Sequence, residues 1–349
     1  MNTDDKTNDL IERSELALSN KETLYIQGSG SKSFLIPDNE TNADHVLSTV
    51  EHKGIIEYDP SELVITVRSG TSLKEIEDTL KQHNQRLPFE PPHFGKNATI
   101  GGTIACGLSG PARPYFGAVR DHILGIHLIN GRAKALQFGG KVMKNVAGYD
   151  CSRLQSGAKG TLGLILAASI KLLPDFPIEV TVKTDCSAKE ALVFMTKLAR
   201  LALPITATLH SDTTLYIRLS GYQQSIDAGL SLMNLEAPFQ ETDDINWLEV
   251  REHQLPIYTN SQLYRLSLPA NVEACPFEVI MEWSGCLRWL CSEAHLKEAI
   301  TWCEKHGGNL VCYQTGKTLT HIDPVLKNLS NNVKQAFNSQ KLWNPNISI

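Results

Sequence analysis

Gly28-Ser29-Gly30-Ser31 follows the apolar tripeptide Leu24-Tyr25-Ile26. Glycines at that spacing let successive backbone N–H groups converge on an anion with no side chain in the way. The chemistry is phosphate binding, and a tight turn between strands has the same composition. A second stretch, Ala98-Thr99-Ile100-Gly101-Gly102-Thr103-Ile104-Ala105, leads on to Gly107 and Gly110, then Arg120-Asp121, then the glycines from Gly157 to Gly163. Cβ-free positions interleaved with Thr and Ser suit a backbone pressed against an extended ligand, two such loops gripping one pyrophosphate from both sides; a chain of β-turns is the competing reading.

Neither loop is a dinucleotide or P-loop fingerprint. The third glycine of a Rossmann turn is replaced by Ser33, and Phe34 to Pro37 runs to a proline instead of opening a helix. Gly316-Lys317-Thr318 has Val311 where a P-loop needs its first glycine. The cysteines at 106, 151, 186, 275, 286, 291, 303 and 312 include no C-x-x-C pair, so no metal or iron–sulfur site is expected and the thiols read as free and buried. No Ser-His-Asp constellation competes.

These loops need elements to hold them. Leu24 to Ile26, Ile55 to Tyr58, Leu63 to Val67 and Leu164 to Leu172 read as strands. Ser72 and Glu75 form a capping box for a helix whose apolar face is Leu73, Ile76 and Leu80. Asn130-Gly131, between Ile123–Ile129 and Arg132–Phe138, predicts a hairpin with a type I′ turn. Farther on, Ser187 and Glu190 cap a helix carrying Ala191, Leu192, Met195, Leu198 and Ala202 and ending before Pro204, and strands at 206–210, 215–219, 264–268, 279–283 and 309–313 alternate with a helix over 293–305, the pattern of an antiparallel sheet backed by helices. Trp283, Trp289 and Trp302 fall within these elements and read as core.

The chain has 349 residues, enough for two domains and a substantial core. Residues 95–163 hold 14 of the 24 glycines, whereas all five tryptophans lie beyond residue 246. Pro174-Asp175-Phe176-Pro177 separates the two regions, giving domains at 1–174 (in two subdomains) and 178–340, with 341–349 returning to the first. A net charge of −5 gives no general attraction to nucleic acid. Asp4, Asp5 and Asp9 with no apolar run behind them fit neither a secretory signal nor a basic transit peptide, and the longest apolar run, Leu162 to Ile170, is too short to span a bilayer. The expectation is a cytoplasmic protein that reaches the inner membrane, if at all, through partner subunits.

Taken in order, Ile26 to Lys32, Ala98 to Gly102, Phe116 to Asp121, Lys144 to Asp150, Gly160 to Gly163 and the closing Leu342-Trp343-Asn344-Pro345 resemble the FAD-binding oxidoreductases of the vanillyl-alcohol oxidase type (PCMH-type FAD module). Within that family the resemblance is to the E-subunit group of bacterial glycolate oxidases. It covers residues 21–174 and the last few. It implies an α+β fold: a PCMH-type FAD module of two small subdomains followed by a cap of antiparallel sheet and helices. It also implies that Gly28, Ser29, Gly30, Ser31, Lys32, Thr99, Gly101 and Gly102 hold the FAD pyrophosphate, and that Asp121, Gly163 and Ile165 lie along the cofactor. The first loop offers Ser31, Lys32 and Ser33 where covalent members place His or Cys, so the FAD is expected to be non-covalent.

The departures bear on mechanism. Catalytic 2-hydroxy-acid dehydrogenases of the family carry a motif resembling G-H-x-G-D-G-N-x-H, and His295, His306 and His321 lack its Asp and its spacing. His306-Gly307-Gly308 reads as a helix C-terminus. Lys144, Arg120 and Tyr149 are candidates to stabilise negative charge at a reduced flavin, and each is equally a surface or packing residue. The resemblance therefore implies an FAD subunit that moves electrons in a glycolate or other small 2-hydroxy-acid oxidase, beside a catalytic flavin subunit and an iron–sulfur subunit. Two alternatives stay open: a self-sufficient D-2-hydroxy-acid (D-lactate) dehydrogenase, and a subunit whose flavin is only structural.

Overall fold

The computed structural model describes residues 4–140, 149–259 and 262–347. The chain divides into two compact units, one of Met1–Ser109, Gly117–Asp175 and Ile322–Ile349, the other of Gly110–Phe116 and Phe176–His321. The division drawn from sequence differs in two places. Residues 110–116 pack with the second unit, and the return to the first begins at Ile322 instead of residue 341.

In the first unit a five-stranded antiparallel sheet runs in the order Ile55–Asp59, Val64–Arg68, Leu164–Lys171, Ile123–Ile129, Ala135–Gly139. Val64–Arg68 is buried along its whole length because both faces of the sheet are covered. On one face lie the helices Leu73–Lys81 and Ile100–Cys106, which bury Leu73, Ile76, Leu80, Ile100 and Ile104 against Ile65, Val67, Ile126 and Ile170. The Ser72 hydroxyl accepts from the Glu75 amide at the start of the first of these helices. On the other face Ile129, Leu164 and Leu166 meet Leu10 and Ala17 of the helix Thr7–Asn20, Leu24 and Leu47 of a parallel strand pair (Leu24–Gln27 with His45–Ser48), and Trp343.

The Asn130 hairpin forms, but not with the turn expected. Ile129 pairs with Ala135, Asn130 N–H donates to Lys134 O, and the residue at positive φ is Ala133 at +55°. That is a longer loop built around a type I turn. Gly131 is glycine for another reason: a Cβ there would stand 2.5 Å from Asn338 Cα, just past the helix Pro324–Phe337.

The second unit holds a nine-stranded antiparallel sheet, with Ile178–Asp185, Thr214–Gly221, Ile205–Ser211, Ile280–Glu282, Leu287–Leu290, Tyr264–Ser267 and Asn309–Cys312 as its interior strands in that order. Ala188–Leu198, started by the reciprocal Ser187–Glu190 box, and Gln223–Met233 cover one half; Leu296–Lys305 covers the other. His306 caps the last of these helices, its Nδ1 2.7 Å from Trp302 O. All eight cysteines are free, yet only Cys186, Cys303 and Cys312 are buried; the other five sit partly exposed, Cys106 and Cys151 at helix ends and the rest in loops or beside strand ends.

Candidate functional site

The strand Leu24–Gln27 delivers the first glycine loop to a pocket inside the first unit. Gly28, Ser29, Gly30, Ser31, Lys32, Thr99, Gly101, Gly102, Gly163 and Ile165 all line it. The close approach explains the glycines: a Cβ on Gly28 would lie 2.5 Å from Thr99 Oγ1, and one on Gly101 would lie 2.6 Å from Ser69 Cβ. Gly30 sits at φ +76°, which L side chains resist, and its carbonyl accepts from the Ser33 amide to close the turn.

The second glycine stretch is not a loop. Thr99 is the N-cap of the seven-residue helix Ile100–Cys106, its hydroxyl accepting from the Gly102 amide at 3.2 Å, and Gly107 ends that helix at φ +67°. Gly101 N–H donates to Ser69 O at 2.9 Å and Ile100 N–H to Thr71 O at 3.0 Å, so the helix start is strapped to the turn that follows the strand Val64–Arg68. Glycines that read as turn-formers are there because the first helical turn is pressed onto backbone.

Two ammonium groups wall the pocket. Lys32 is buried, its Nζ 3.3 Å from His93 O and 5.8 Å from the Phe94 ring centroid. Lys159 Nζ donates to Leu35 O at 3.3 Å. Burial pushes the Cys106 thiol up, against the pull of both lysines, so the one cysteine on the pocket wall stays protonated at neutral pH. The C-terminal segment locks the walls together: Ile26 N–H donates to Asn344 Oδ1 at 2.8 Å, and Asn344 Nδ2 donates to Lys159 O at 2.6 Å. Sequence reasoning singled out neither Lys159 nor Cys106. Asn344 stood within a quoted motif without a role, since only the fold brings residues 26, 159 and 344 together.

Asp121 does not reach the pocket lining. Its Oδ2 accepts from the Ala118 amide at 2.9 Å, capping the short helix Val119–His122, and its Oδ1 lies 3.8 Å from Arg120 Nε and 3.9 Å from Arg153 Nη1. A carboxylate spent on a cap and two cations is an anchor for its own segment. Arg120 and Tyr149 are exposed, Tyr149 at 94%, and neither lines the pocket. Lys144 lies outside the described residues. Among the described residues no cluster of His, Cys, Asp and Glu is arranged to hold a metal ion.

Residues 5–152 match the FAD binding domain family. The chain is 41% identical over 310 residues to "Glycolate oxidase subunit GlcE" of Escherichia coli (strain K12), covering 88% of this chain and 87% of that protein. It is 31% identical over 180 residues to a D-lactate dehydrogenase of Archaeoglobus fulgidus, covering 51% of this chain and 39% of that one. The fold matches p-cresol methylhydroxylase with a TM-score of 0.73 at 11% identity, over 97% of this chain and 86% of that one. With an FAD-binding domain, this fold and near full-length similarity, the chain belongs to the GlcE family of FAD-binding glycolate oxidase subunits.

Proposed function

We propose that the chain is the FAD-binding subunit of a glycolate (2-hydroxy-acid) oxidase complex and takes part in electron transfer as glycolate becomes glyoxylate. The observation that carries this is the pocket itself: a cleft lined by the backbone of Gly28 to Lys32 and of Gly101 and Gly102, pressed too closely on Thr99 and Ser69 for a Cβ at Gly28 or Gly101, and walled by Lys32 and Lys159. Backbone amides without side chains and two lysines are the donor set a pyrophosphate requires. In this reading Gly28 to Lys32 and Thr99 to Gly102 hold the phosphates, while Gly163 and Ile165 lie along the rest of the cofactor. Bound FAD supplies reversible two-electron acceptance; the chain's own residues bind it, orient it and exclude water. With Cys106 kept as a neutral thiol and no histidine among the described lining residues, the reading is of non-covalent FAD.

As its partners we propose a catalytic flavin subunit and an iron–sulfur subunit, a reading that the likeness to a glycolate oxidase subunit supports. An unpartnered surface supports them. The 14-residue helix Pro324–Phe337 buries none of its residues, and Val325, Leu326 and Leu329 are 71%, 59% and 58% exposed. Among the described residues no helix is long and apolar enough to cross a membrane, so contact with the cytoplasmic face of the inner membrane would come through those partners.

A visible spectrum of the purified chain, before and after acid precipitation, tests the cofactor: flavin bands should pass to the supernatant. Replacing Gly28 and Gly30 by Val should abolish them, because β-branched side chains would block the phosphate path and resist positive φ. Anaerobic single-turnover reduction by glycolate or D-lactate tests the role. The chain alone should react slowly, by about 10²- to 10⁴-fold for want of an oriented base. Rapid bleaching without partners would instead support a self-sufficient D-2-hydroxy-acid dehydrogenase, and a flavin inert even in the assembled complex would support a structural cofactor.

A further inference from the structure

The second unit contains a cleft that the reading above does not use. One wall is the solvent side of the helix Ala188–Leu198 with Arg200 just beyond it; the segment from Asn271 to Ala274 faces it, and Ser284 and Gly285 also line the cleft. The helix bears directly on this last turn. Gly285 is at φ +84°, and a Cβ there would strike Leu192 Cδ2. Arg288, fully buried, fixes the other side. Its Nε donates to Gly285 O at 3.0 Å, its Nη2 to Val272 O at 2.7 Å and its Nη1 to Glu273 O at 2.6 Å. One buried side chain therefore ties the facing segment to the turn under the helix, and the cleft is a shaped feature of the core around it.

Its charge is positive. Lys189, Lys197 and Arg200 line it against one carboxylate, Glu273, which lies 3.3 Å from His306 Nε2. Lys197 Nζ donates to Glu236 Oε2 at 2.7 Å, whereas Lys189 and Arg200, both exposed, have no carboxylate partner among the described residues. Arg288 adds a cation behind the wall. Its remaining contacts are Cys275 Sγ at 3.2 Å and the Trp302 ring centroid at 5.3 Å, so among the described residues no carboxylate neutralises it. In a chain of net charge −5 this is a local excess of the opposite sign.

Spacing decides what such a cleft can hold. Arg200 N–H donates to Lys197 O at 3.1 Å, which carries the coil on past Leu198. Lys189 and Arg200 therefore return to the same side of the coil and stand about 16 Å apart along it. Between them lie the aliphatic side chains of Leu192 and Val193, the latter 49% exposed. A single small anion cannot touch both cations, but an extended chain covers that span with about five residues. We propose that the cleft docks an extended acidic segment of a partner protein, with carboxylates on Lys189 and Arg200 and an aliphatic side chain between them on Leu192 and Val193. Charge of one sign flanking an apolar centre selects a segment of the opposite pattern and repels acidic chains that lack the apolar middle less than it repels basic ones. The cleft belongs to the second unit, and its docking role stands apart from the FAD pocket of the first.

The probe is a fluorescein-labelled peptide, acetyl-Glu-Glu-Leu-Val-Leu-Glu-Glu-amide, titrated with the full chain at constant ionic strength and read by anisotropy. It should bind saturably, and the same peptide with Gln for every Glu should bind at least tenfold more weakly. A double variant, Lys189→Glu with Arg200→Glu, should weaken the acidic peptide at least tenfold at unchanged melting temperature and flavin content, since both side chains are exposed. Should that variant misfold, Lys189→Gln with Arg200→Gln takes its place, and the wild-type comparison of the two peptides decides if both do. Sulfate at the peptide's own concentration should not displace it. Absence of saturable binding, equal affinity for the Gln peptide or wild-type affinity in a folded double variant would overturn the proposal. Displacement by equimolar sulfate would also overturn it, by marking a small-anion site instead.

Discussion

At the scale of single residues, burial sets charge. Glu282 and His253 share the tyrosine and tryptophan environment of the second unit, and burial favours the neutral form of each, with opposite consequences for stability. The Glu282 carboxyl is raised from 4.5 to about 7, so the folded chain holds a proton that the unfolded chain releases. Its contribution is complete below 4.5 and is lost as pH rises toward 7. The His253 imidazole is lowered from 6.5 to about 3, so its contribution is complete above 6.5 and is lost as pH falls toward 3. Between 4.5 and 6.5 the two oppose each other. Urea midpoints of the wild type should vary little over that window. Glu282→Gln, which keeps an acceptor for Tyr258 and Trp289, should become less stable as pH falls through it, and His253→Phe should become less stable as pH rises. Two variants that both track the wild type would contradict this account.

At the scale of elements, the same residue types serve different ends. Asn130-Gly131 predicted the hairpin from local turn chemistry, and the strands pair as expected, yet Gly131 answers to a neighbour more than 200 residues away in sequence. Its amide donates to Phe337 O, and Asn338 leaves no room for a Cβ. Gly131→Val should cost about 1 to 3 kcal/mol through displacement of the Asn338 backbone, in the range of other overpacking changes. Thermal denaturation would show it, and an unchanged melting temperature would mean that the helix end can move aside. The glycines at 101 and 102 carry the same lesson: composition announced a turn, and the Thr99 cap with packing on Ser69 made a helix.

At the scale of the molecule, the pocket depends on three distant stretches of chain. Asn344 joins the Ile26 amide to the Lys159 carbonyl, and Trp343, fully buried, bridges to Leu24. A Cβ on Gly160 would lie 2.7 Å from Asn344 Nδ2, so this junction is packed as tightly as the glycine loops. Asn344→Leu has the size of the native side chain but none of its hydrogen-bonding groups, and it leaves a buried donor and acceptor unsatisfied. It should weaken FAD retention on gel filtration more than it lowers the melting temperature, because the strand it holds ends in the first phosphate loop. Full flavin occupancy in that variant would show that the loop keeps its place without the C-terminal segment.

Strands with β-branched runs, helices opened by Ser72 and Ser187, and the glycine-rich character of the first half were legible in the sequence, because propensity, capping and backbone freedom act over a few residues. Asp121 illustrates what was not: its type and motif pointed to the cofactor, and only the fold shows its carboxylate committed to the Ala118 amide and two arginines. The helix Thr7–Asn20 was equally hidden, since it buries only the narrow line of Leu10, Ser14 and Ala17. From sequence alone came an α+β pattern and two glycine stretches suited either to phosphate or to turns, and the ordered motifs, by their resemblance to a known family, implied FAD. Tertiary structure alone decided which cations wall the pocket, that Asn344 locks it, and that Lys189 and Arg200 share a cleft with Asn271 to Ala274, because those contacts join residues whose separation in sequence carries no local signal.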